Sequence, residues 1–251
     1  MTWQELRAAA ARETAGMCAP LPAGPDCCPV CRGPVPGGYR RCFHCSLHRR
    51  SAAGLLADAV VPLSYSITGT EYARKLRLYK SDASGRDDMC AALRVLLLVF
   101  LHDHGRCLWA RGGMPAAPSH LAVVPSGGGR SGVHPLQSLA EPYLGLPWAD
   151  LIASTDELVQ ARELRIGRFR AAGPLGGATI LLLDDTWASG SSAQSAAAAL
   201  KLAGASSVVT LVLGRHINLT RTRPGPFLQA LAGSHFRPDW CPVHEATPAP
   251  Q

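Results

Sequence analysis

Two pairs of cysteines near the start of the chain have the spacing of metal ligands. They are Cys28-Pro-Val-Cys31 and Cys42-Phe-His-Cys45, separated by ten residues. Two thiolates three positions apart on a tight turn can both reach one ion at about 2.3 Å, and two such turns complete a tetrahedral shell of four sulfurs. Four protein ligands leave no open position for a substrate or a water. The spacing therefore predicts a structural zinc site.

The other cysteines and the nearby histidines leave alternatives open. Nine cysteines is an odd number, which in a reducing compartment favours ligands or free thiols over a disulfide framework. Cys241 and His244 have the spacing of half a metal site, and the pair is interpreted as an incidental feature of the tail. Cys90 and Cys107 adjoin an apolar helical run and are interpreted as core residues. The alternative zinc ligands near the two cysteine pairs are Cys18, Cys27, His44 and His48.

The segment around the two cysteine pairs is rich in turn-forming residues and in arginine. Residues 32–38 cannot build a hydrophobic core, so a bound metal would supply most of the folding free energy of residues 26–50. Five arginines and one aspartate make this segment basic. Both a contact with a phosphate backbone and a solvated basic face are compatible with that charge.

A second stretch places two adjacent carboxylates where an apolar strand ends. Residues 179–183 lead into Asp184 and Asp185, and small hydroxyl residues then open an alanine-rich helix at Ser191. Ligands of open α/β sheets bind at this end of the strands. Backbone N–H groups and hydroxyls at a helix N-terminus suit a phosphate, whereas the acidic pair suits vicinal ribose hydroxyls or magnesium. A phosphate group at one end and sugar hydroxyls at the other predict a ribose 5-phosphate site. Neither a P-loop nor a dinucleotide glycine pattern occurs in the stretch.

The segment that follows the strand, DDTWASGSS, resembles the phosphoribosyl pyrophosphate (PRPP) motif of type I phosphoribosyltransferases. Ala188 stands where that family usually has a hydroxyl residue, and Trp187 is bulkier than the usual aliphatic residue. With the cysteine pairs in front, the chain from Cys28 to about Arg215 resembles the ComF family, in which a zinc ribbon is fused to a phosphoribosyltransferase domain. The Arg-Gly-Phe-Asn-Gln-like stretch of that family is not recognisable in residues 131–136.

The resemblance implies where PRPP and its magnesium would bind. The ribose hydroxyls would lie on Asp184 and Asp185, which are assigned the catalytic positions. The residues implied for the 5-phosphate are Ala188, Ser189, Gly190, Ser191 and Ser192. The residues implied for the pyrophosphate side are Lys80, Ser126, Gly127 and Arg130.

Apolar periodicity predicts strands alternating with helices. The predicted strands lie within 55–65, 120–125, 149–153, 179–183 and 207–213, and the predicted helices span 69–79, 86–101, 133–139 and 191–202. Residues 157–170 are predicted to form an arginine-rich helix or loop. This alternation predicts an α/β fold with a mostly parallel sheet flanked by helices, and the resemblance implies the type I phosphoribosyltransferase arrangement.

The predicted organisation has four parts. Residues 1–25 are expected to be a flexible N-terminus, 26–50 a small zinc ribbon, 51–220 the phosphoribosyltransferase-like domain, and 221–251 a tail with at most local structure. The 251 residues, 47% of them hydrophobic, suffice for one large core and a small appendage.

Charge and hydropathy restrict the class of partner. The 25 Lys and Arg exceed the 18 Asp and Glu to give a net charge of +7, which favours polyanionic partners. No apolar run approaches the roughly 18 residues of a membrane-spanning helix, and the first 25 residues lack the apolar core of a secretory signal. No membrane span and a cytoplasmic location are therefore expected.

The sequence supports two classes of function. The first is an enzyme that transfers the phosphoribosyl group of PRPP to an unidentified acceptor. The ComF resemblance also implies a non-catalytic accessory protein for the uptake of single-stranded DNA in natural competence, with DNA or competence proteins as partners. The basic ribbon favours the second class, although Tyr39 and Phe43 are a thin stacking platform for single strands.

Overall fold

The computed structural model describes residues 2–81, 84–126, 133–153, 163–223 and 225–244. Its helices and strands follow in the order α1 (Trp3–Arg12), α2 (Phe43–Ser51), β1 (Ala59–Ile67), α3 (Glu71–Leu78), α4 (Arg86–Arg111), β2 (His120–Val123), α5 (Pro135–Leu144), β3 (Leu151–Ala153), β4 (Phe169–Ala171), β5 (Thr179–Trp187), α6 (Ser191–Leu202), β6 (Ser207–Ile217) and α7 (Pro226–Ala232).

The centre of the fold is a four-stranded sheet in the order β1-β6-β5-β2. Every neighbouring pair in it is parallel, and β3 and β4 form a separate antiparallel pair. The central strands β5 and β6 are buried along nearly their whole length. Continuous apolar runs are required here because both faces of a parallel sheet are covered. The α/β fold predicted from the sequence is confirmed.

Alternate residues of the central strands enter two separate cores. Leu181 and Leu183 of β5 join the core that contains α3, α4 and α5. Ile180 and Leu182 face the opposite core, which contains the buried alanines of α6 and the four cysteines of the two pairs. The period of two along the strand therefore assigns one face to the long helix α4 and the other to α6 and the cysteine segment.

Tertiary contacts lengthen two elements beyond their sequence predictions. Strand β5 continues through the acidic pair to Trp187 because β6 lies beside it, with Asp184 opposite Val212 and Thr186 opposite Gly214. Helix α4 continues ten residues beyond the predicted end at Leu101. Part of that extension contacts α1, where Arg7 Nη2 and Asp103 Oδ1 form an ion pair at 2.6 Å.

The two ends of the chain contain more structure than the sequence predicted. Residues 1–25, expected to be flexible, include α1, which Thr2 caps in a capping box with Glu5. Ala10 and Met17 in this segment are buried in the main core. The expected tail contains α7, whose Phe227 and Leu231 are buried against β1 and β6 residues. Both segments are too short for periodicity to reveal, and they gain order by burying apolar side chains on the sheet domain.

The segment predicted as an arginine-rich helix or loop is only partly described. Residues 157–162 lie outside the described residues. Arg165 donates its backbone N–H to Ser195 Oγ at 3.0 Å, and Phe169 begins strand β4, which pairs with β3. Part of the segment is therefore a strand, because Phe169 enters the α6-side core.

Candidate functional site

The acidic pair lies at the carboxyl edge of the parallel sheet. Asp185 is buried with 7% of its surface exposed, and Asp184 is half-buried. Helix α3 ends at Leu78, so the next two residues, Tyr79 and Lys80, follow directly and lie against β5. Three elements that are distant in the sequence therefore meet here: the end of α3, the end of β5 and the start of α6.

Asp185 is held by two side chains from the end of α3. The Tyr79 hydroxyl donates a hydrogen bond to Asp185 Oδ2 at 2.8 Å, and Lys80 Nζ forms an ion pair with the same oxygen. Tyr79 is fully buried, and burial together with the Asp185 charge raises its pKa well above the usual value. Tyr79 is thus a neutral donor at physiological pH, and Asp185 is fixed in one orientation.

Asp184 differs from its neighbour in its protonation. Removal of the carboxyl from water and the adjacent Asp185 charge together raise the pKa of Asp184 to about 8, although Lys80 opposes the shift. At neutral pH a proton therefore competes with any cation or ribose hydroxyl at this carboxylate. A ligand that prefers the ionised form has to displace that proton.

The turn after β5 has the backbone shape of a close-approach loop. Gly190 is the N-cap of α6 and has φ of +81°, and a Cβ atom there would lie 2.0 Å from the buried Trp187 indole ring. Glycine is required at this position by both conformation and space. Ser189 and Ser191 are buried, and their hydroxyl oxygens lie 3.0 Å apart.

Two of the five residues predicted for the 5-phosphate are more accessible than the rest. Ala188 is exposed and Ser192 is half-buried. The predicted phosphate group would therefore approach between these two positions, where the N-terminus of α6 favours negative charge.

The predicted pyrophosphate side is described only in part. Strand β2 pairs with β5 so that Val123 lies opposite Leu183, and Ser126 follows at the same sheet edge as the acidic pair. Lys80, which was predicted for the pyrophosphate, contacts Asp185. Gly127 and Arg130 lie outside the described residues.

The four cysteines of the two pairs form a closed group. Their sulfur atoms all lie within 4.8 Å of one another, and the Cys31 and Cys42 sulfurs are 3.6 Å apart. Four sulfurs around one zinc ion would be about 3.8 Å apart, since each Zn–S bond is about 2.3 Å. All four side chains are buried, so the group can hold a structural zinc ion and offers no position for a substrate.

Local backbone geometry brings these cysteines together. Arg32, directly after Cys31, has φ of +58°. This conformation closes a tight turn, in which the Cys28 N–H donates a hydrogen bond to Gly33 O at 2.8 Å. Cys42 is the N-cap of α2 and Cys45 lies in its first turn. Hydrogen bonds from the other three thiols lower the pKa of Cys28, which favours a thiolate at the centre of the group.

Arg215 connects the cysteine group to the loop after β5. Its Nη1 donates hydrogen bonds to the backbone oxygens of Trp187 at 3.0 Å and Ala188 at 3.1 Å. A Cβ atom on Gly33 would meet Arg215 Nη2 at 2.2 Å, so the guanidinium also lies against the turn of the first cysteine pair. Burial would lower the pKa of Arg215, but the nearby cysteines raise it.

Sequence reasoning identified the two clusters and Lys80, but it missed two other side chains that support them, Tyr79 and Arg215. Tyr79 was noted only as part of a helix end, and no local spacing relates it to Asp185, which lies 106 positions later. Arg215 comes at the end of an apolar strand and carries no motif. Its position at the carboxyl end of a parallel strand is the one sequence signal that could have identified Arg215.

Comparison with known proteins gives no family assignment. No protein-family model matches the chain, and no curated protein sequence matches it.

Solved structures give partial likenesses. Phosphoribosylpyrophosphate synthetase from Mycobacterium smegmatis matches with a TM-score of 0.31 and 19% identity, over 56% of this chain and 38% of that one. Adenine phosphoribosyltransferase from Leishmania tarentolae matches with a TM-score of 0.33 and 17% identity, over 53% and 70% of the two chains. The Saccharomyces cerevisiae adenine phosphoribosyltransferase matches with a TM-score of 0.34 and 15% identity, over 59% and 98%. At these values the likenesses do not by themselves assign a function.

The class defined by the fold and the site is therefore an α/β protein with an acidic pair at the carboxyl edge of a parallel sheet and a closed four-cysteine group beside it. Within the described parts of the chain, no helix combines the length and the apolar character needed to cross a membrane.

Proposed function

We propose that the protein binds PRPP with magnesium at the carboxyl edge of the sheet and transfers the phosphoribosyl group to an acceptor. One observation carries the proposal. The acidic pair, with Asp185 held by Tyr79 and Lys80, lies directly before a glycine turn that opens α6. A group for sugar hydroxyls and a group for phosphate are thereby arranged in the order that a ribose 5-phosphate presents them.

Transfer of the phosphoribosyl group requires substrate binding and charge stabilisation but no side-chain nucleophile. A nucleophilic atom of the acceptor forms a bond to the anomeric carbon while the bond from that carbon to the pyrophosphate oxygen breaks, and the electron pair leaves with pyrophosphate. Asp184 and Asp185 accept hydrogen bonds from the ribose hydroxyls. Tyr79 and Lys80 keep Asp185 in place, so the geometry of the reacting carbon is fixed before the transition state.

The donor types at the two candidate metal positions match the two proposed metals. Carboxylate oxygens such as those of Asp184 and Asp185 are the ligands that magnesium prefers, and the thiolates of residues 28–45 are ligands for zinc. Magnesium, when bound, would neutralise charge on the pyrophosphate. Zinc would hold the ribbon against α6 and the turn at Trp187. A cytoplasmic location, where PRPP is available, belongs to the same proposal.

Titration calorimetry of the full chain with PRPP and magnesium tests the proposal. The Asp184→Asn, Asp185→Asn double variant is expected to lose at least a hundredfold in affinity, about 2.7 kcal/mol. The matched control is Asp150→Asn, Asp239→Asn, which removes two exposed carboxylates elsewhere and is expected to bind like the unchanged protein. Equal binding by all three proteins, or none by a folded protein, would reject the proposal.

A groove beside the ribbon favours a second candidate function, the binding of single-stranded DNA. The groove has a volume of about 990 Å³, and the exposed rings of Tyr39 and Phe43 line it. Its basic residues are Arg41, Arg50, Arg221 and Arg223. Arginines that follow a backbone and aromatic rings on which bases stack are the two components of sequence-independent strand binding.

Fluorescence anisotropy with a labelled oligothymidine tests the second candidate. Arg41→Ser, Arg50→Ser is expected to weaken binding at least tenfold and to reduce its salt dependence, whereas Arg12→Ser, Arg106→Ser removes the same charge outside the groove and should have a small effect. Binding that does not respond to salt, or that both variants weaken equally, would count against the groove. The Asp184→Asn, Asp185→Asn variant should bind the oligonucleotide normally.

A further inference from the structure

Three metal-ligating side chains converge between the middle of the chain and its C-terminal segment. Cys107 of α4, Cys241 and His244 offer ligand atoms that all lie within 4.8 Å of one another. The Cys241 sulfur is 3.8 Å from His244 Nδ1. Sequence spacing had shown only Cys241 and His244, because the partner on α4 is more than a hundred positions away.

A fourth side chain, His104, lies one helical turn before Cys107 on the same face of α4. His104 is fully buried, and its Nε2 is 2.9 Å from the backbone oxygen of Pro238. A carbonyl oxygen can only accept a hydrogen bond, so Nε2 carries a proton, and a metal ion would bind the lone pair of Nδ1 in the neutral form of the ring. Among the described residues, that buried Nδ1 has no hydrogen-bond partner, which is costly for a polar atom removed from water.

His104 lies beside the same cluster. It precedes Cys107 by one turn of α4, and its Nε2 bonds to Pro238, three residues before Cys241. The ring nitrogens of His104 are not among the three mutually close ligand atoms, so its assignment as the fourth ligand requires an adjustment of the site when the metal binds.

The donor set suits zinc. Two thiolates and two imidazoles form a common tetrahedral shell, with bonds of about 2.3 Å to sulfur and about 2.0 Å to nitrogen. Histidine ligands of zinc commonly donate their other ring N–H to a backbone carbonyl, as His104 does to Pro238. Cys107 and Cys241 are free thiols, and no disulfide accounts for their proximity.

We propose that Cys107, Cys241 and His244, with His104 as the fourth ligand, form a second zinc site that fixes the C-terminal segment to α4. The site is separate from the four cysteines at residues 28–45 and uses none of their ligands. It would add to the existing attachments of this segment, such as the backbone bond from Phe236 N to Met17 O at 3.0 Å and the contact from Arg32 Nη2 to Pro242 O at 3.4 Å.

Metal analysis of the purified full chain tests the proposal by difference. Cys241→Ser is expected to contain one zinc ion per chain fewer than the unchanged protein, whatever the occupancy of the other cysteine group. Cys90→Ser, which removes another half-buried cysteine of α4, should lose none. Equal zinc content in the unchanged protein and in Cys241→Ser would overturn the proposal.

Two further variants guard against a simple failure to fold. His244 is exposed, so His244→Ala should fold and still lose one zinc ion, whereas His235→Ala, at another exposed histidine, should keep it. His104→Ala should lose the same ion, and retention would overturn the assignment of His104.

Cobalt substitution and intact mass give independent readouts. The cobalt-substituted unchanged protein should show the visible d–d bands of tetrahedral cobalt, including a component from mixed sulfur and nitrogen ligation. That component should be absent from the spectrum of His244→Ala. An intact mass 2 Da below the reduced value, with the linkage mapped to Cys107 and Cys241, would instead show a disulfide and overturn the site.

Discussion

The cysteine group of residues 28–45 and the acidic end of β5 differ in how their polar atoms are arranged. The four sulfurs face one another, are buried and come from one short stretch of sequence. The two adjacent aspartates of β5 lie where three elements meet, and their carboxylates are unequal: Asp185 is held by Tyr79 and Lys80, whereas Asp184 has a raised pKa.

This difference is the one expected between the proposed structural zinc site and the proposed ligand site. A closed group gains its full stability when its metal is bound and has nothing left to offer a substrate. A carboxyl group whose pKa is raised by burial and by a neighbouring charge is typical of functional sites. Arg215 contacts both regions, so the closed site supports the shape of the open one.

Loss of a cysteine ligand should have the largest effect on stability. Cys31→Ser leaves three thiols around the zinc position, and we expect one zinc ion fewer per chain and a loss of at least about 3 kcal/mol in the free energy of unfolding. Metal analysis and chemical denaturation measure these quantities. An unchanged zinc content and midpoint would show that the cysteine group is not a structural metal site.

Substitution of Gly190 tests how closely the loop packs against the Trp187 ring. Gly190→Ala forces a Cβ atom into the Trp187 ring at positive φ, and we expect a loss of about 2–4 kcal/mol from the clash and the conformation together. Gly16 has a similar φ of +72° with no atom within 4 Å, so Gly16→Ala isolates the conformational part at about 1 kcal/mol. Thermal melts that shift equally for both variants would contradict the close packing of the loop.

The two aspartates should respond differently to pH and to amidation. Asp185→Asn removes the negative charge that pairs with Lys80 and leaves one side-chain oxygen to accept from Tyr79, and we expect a loss of about 1–3 kcal/mol. The raised pKa of Asp184 means that the folded chain binds more protons than the unfolded chain between about pH 4 and pH 8, so stability falls as pH rises through this window.

Denaturation curves at several pH values measure this decline in stability. The charged groups that influence the pKa of Asp184 are Asp185 and Lys80. Asp184→Asn should flatten the decline, because the amide does not ionise. An identical decline in the variant would show that Asp184 is not the titrating group.

Replacement of Arg215 tests the link between the two regions with the smallest expected effect. Lysine keeps the charge but cannot bond to Trp187 O and Ala188 O in the same geometry. We expect Arg215→Lys to lose about 1–2 kcal/mol in stability and a few-fold in PRPP affinity with its zinc content unchanged. The control is Arg221→Lys, at an exposed arginine. Equal PRPP affinities for the two variants would show that Arg215 does not link the cysteine group to the acidic end of β5.

The sequence predicted the sheet and both clusters because each has a local pattern. Apolar runs predicted the strands of the main sheet, and the C-x-x-C spacing identified the four cysteines that the fold brings together. The strand at residues 179–183 was predicted too short, because the pairing of Asp184 and Thr186 with β6 depends on a neighbour that local sequence does not show.

The supporting residues could not be predicted for the same reason. Helix α1 is ordered by its packing on α4 and by the Arg7 to Asp103 ion pair, a contact across 96 positions. The cluster of Cys107 with Cys241 and His244 likewise depends on where the C-terminal segment returns to the fold. Contacts across such distances follow from the topology of the chain, which single-sequence periodicity does not give.

A crystal structure of the full chain with PRPP and magnesium tests the central claim most directly. We predict density for the 5-phosphate at residues 188–192 and for the ribose hydroxyls at Asp184 and Asp185, with Tyr79 still bonded to Asp185. Phosphate density in the groove at Arg41 and Arg50, with an empty sheet edge at saturating PRPP, would contradict the claim.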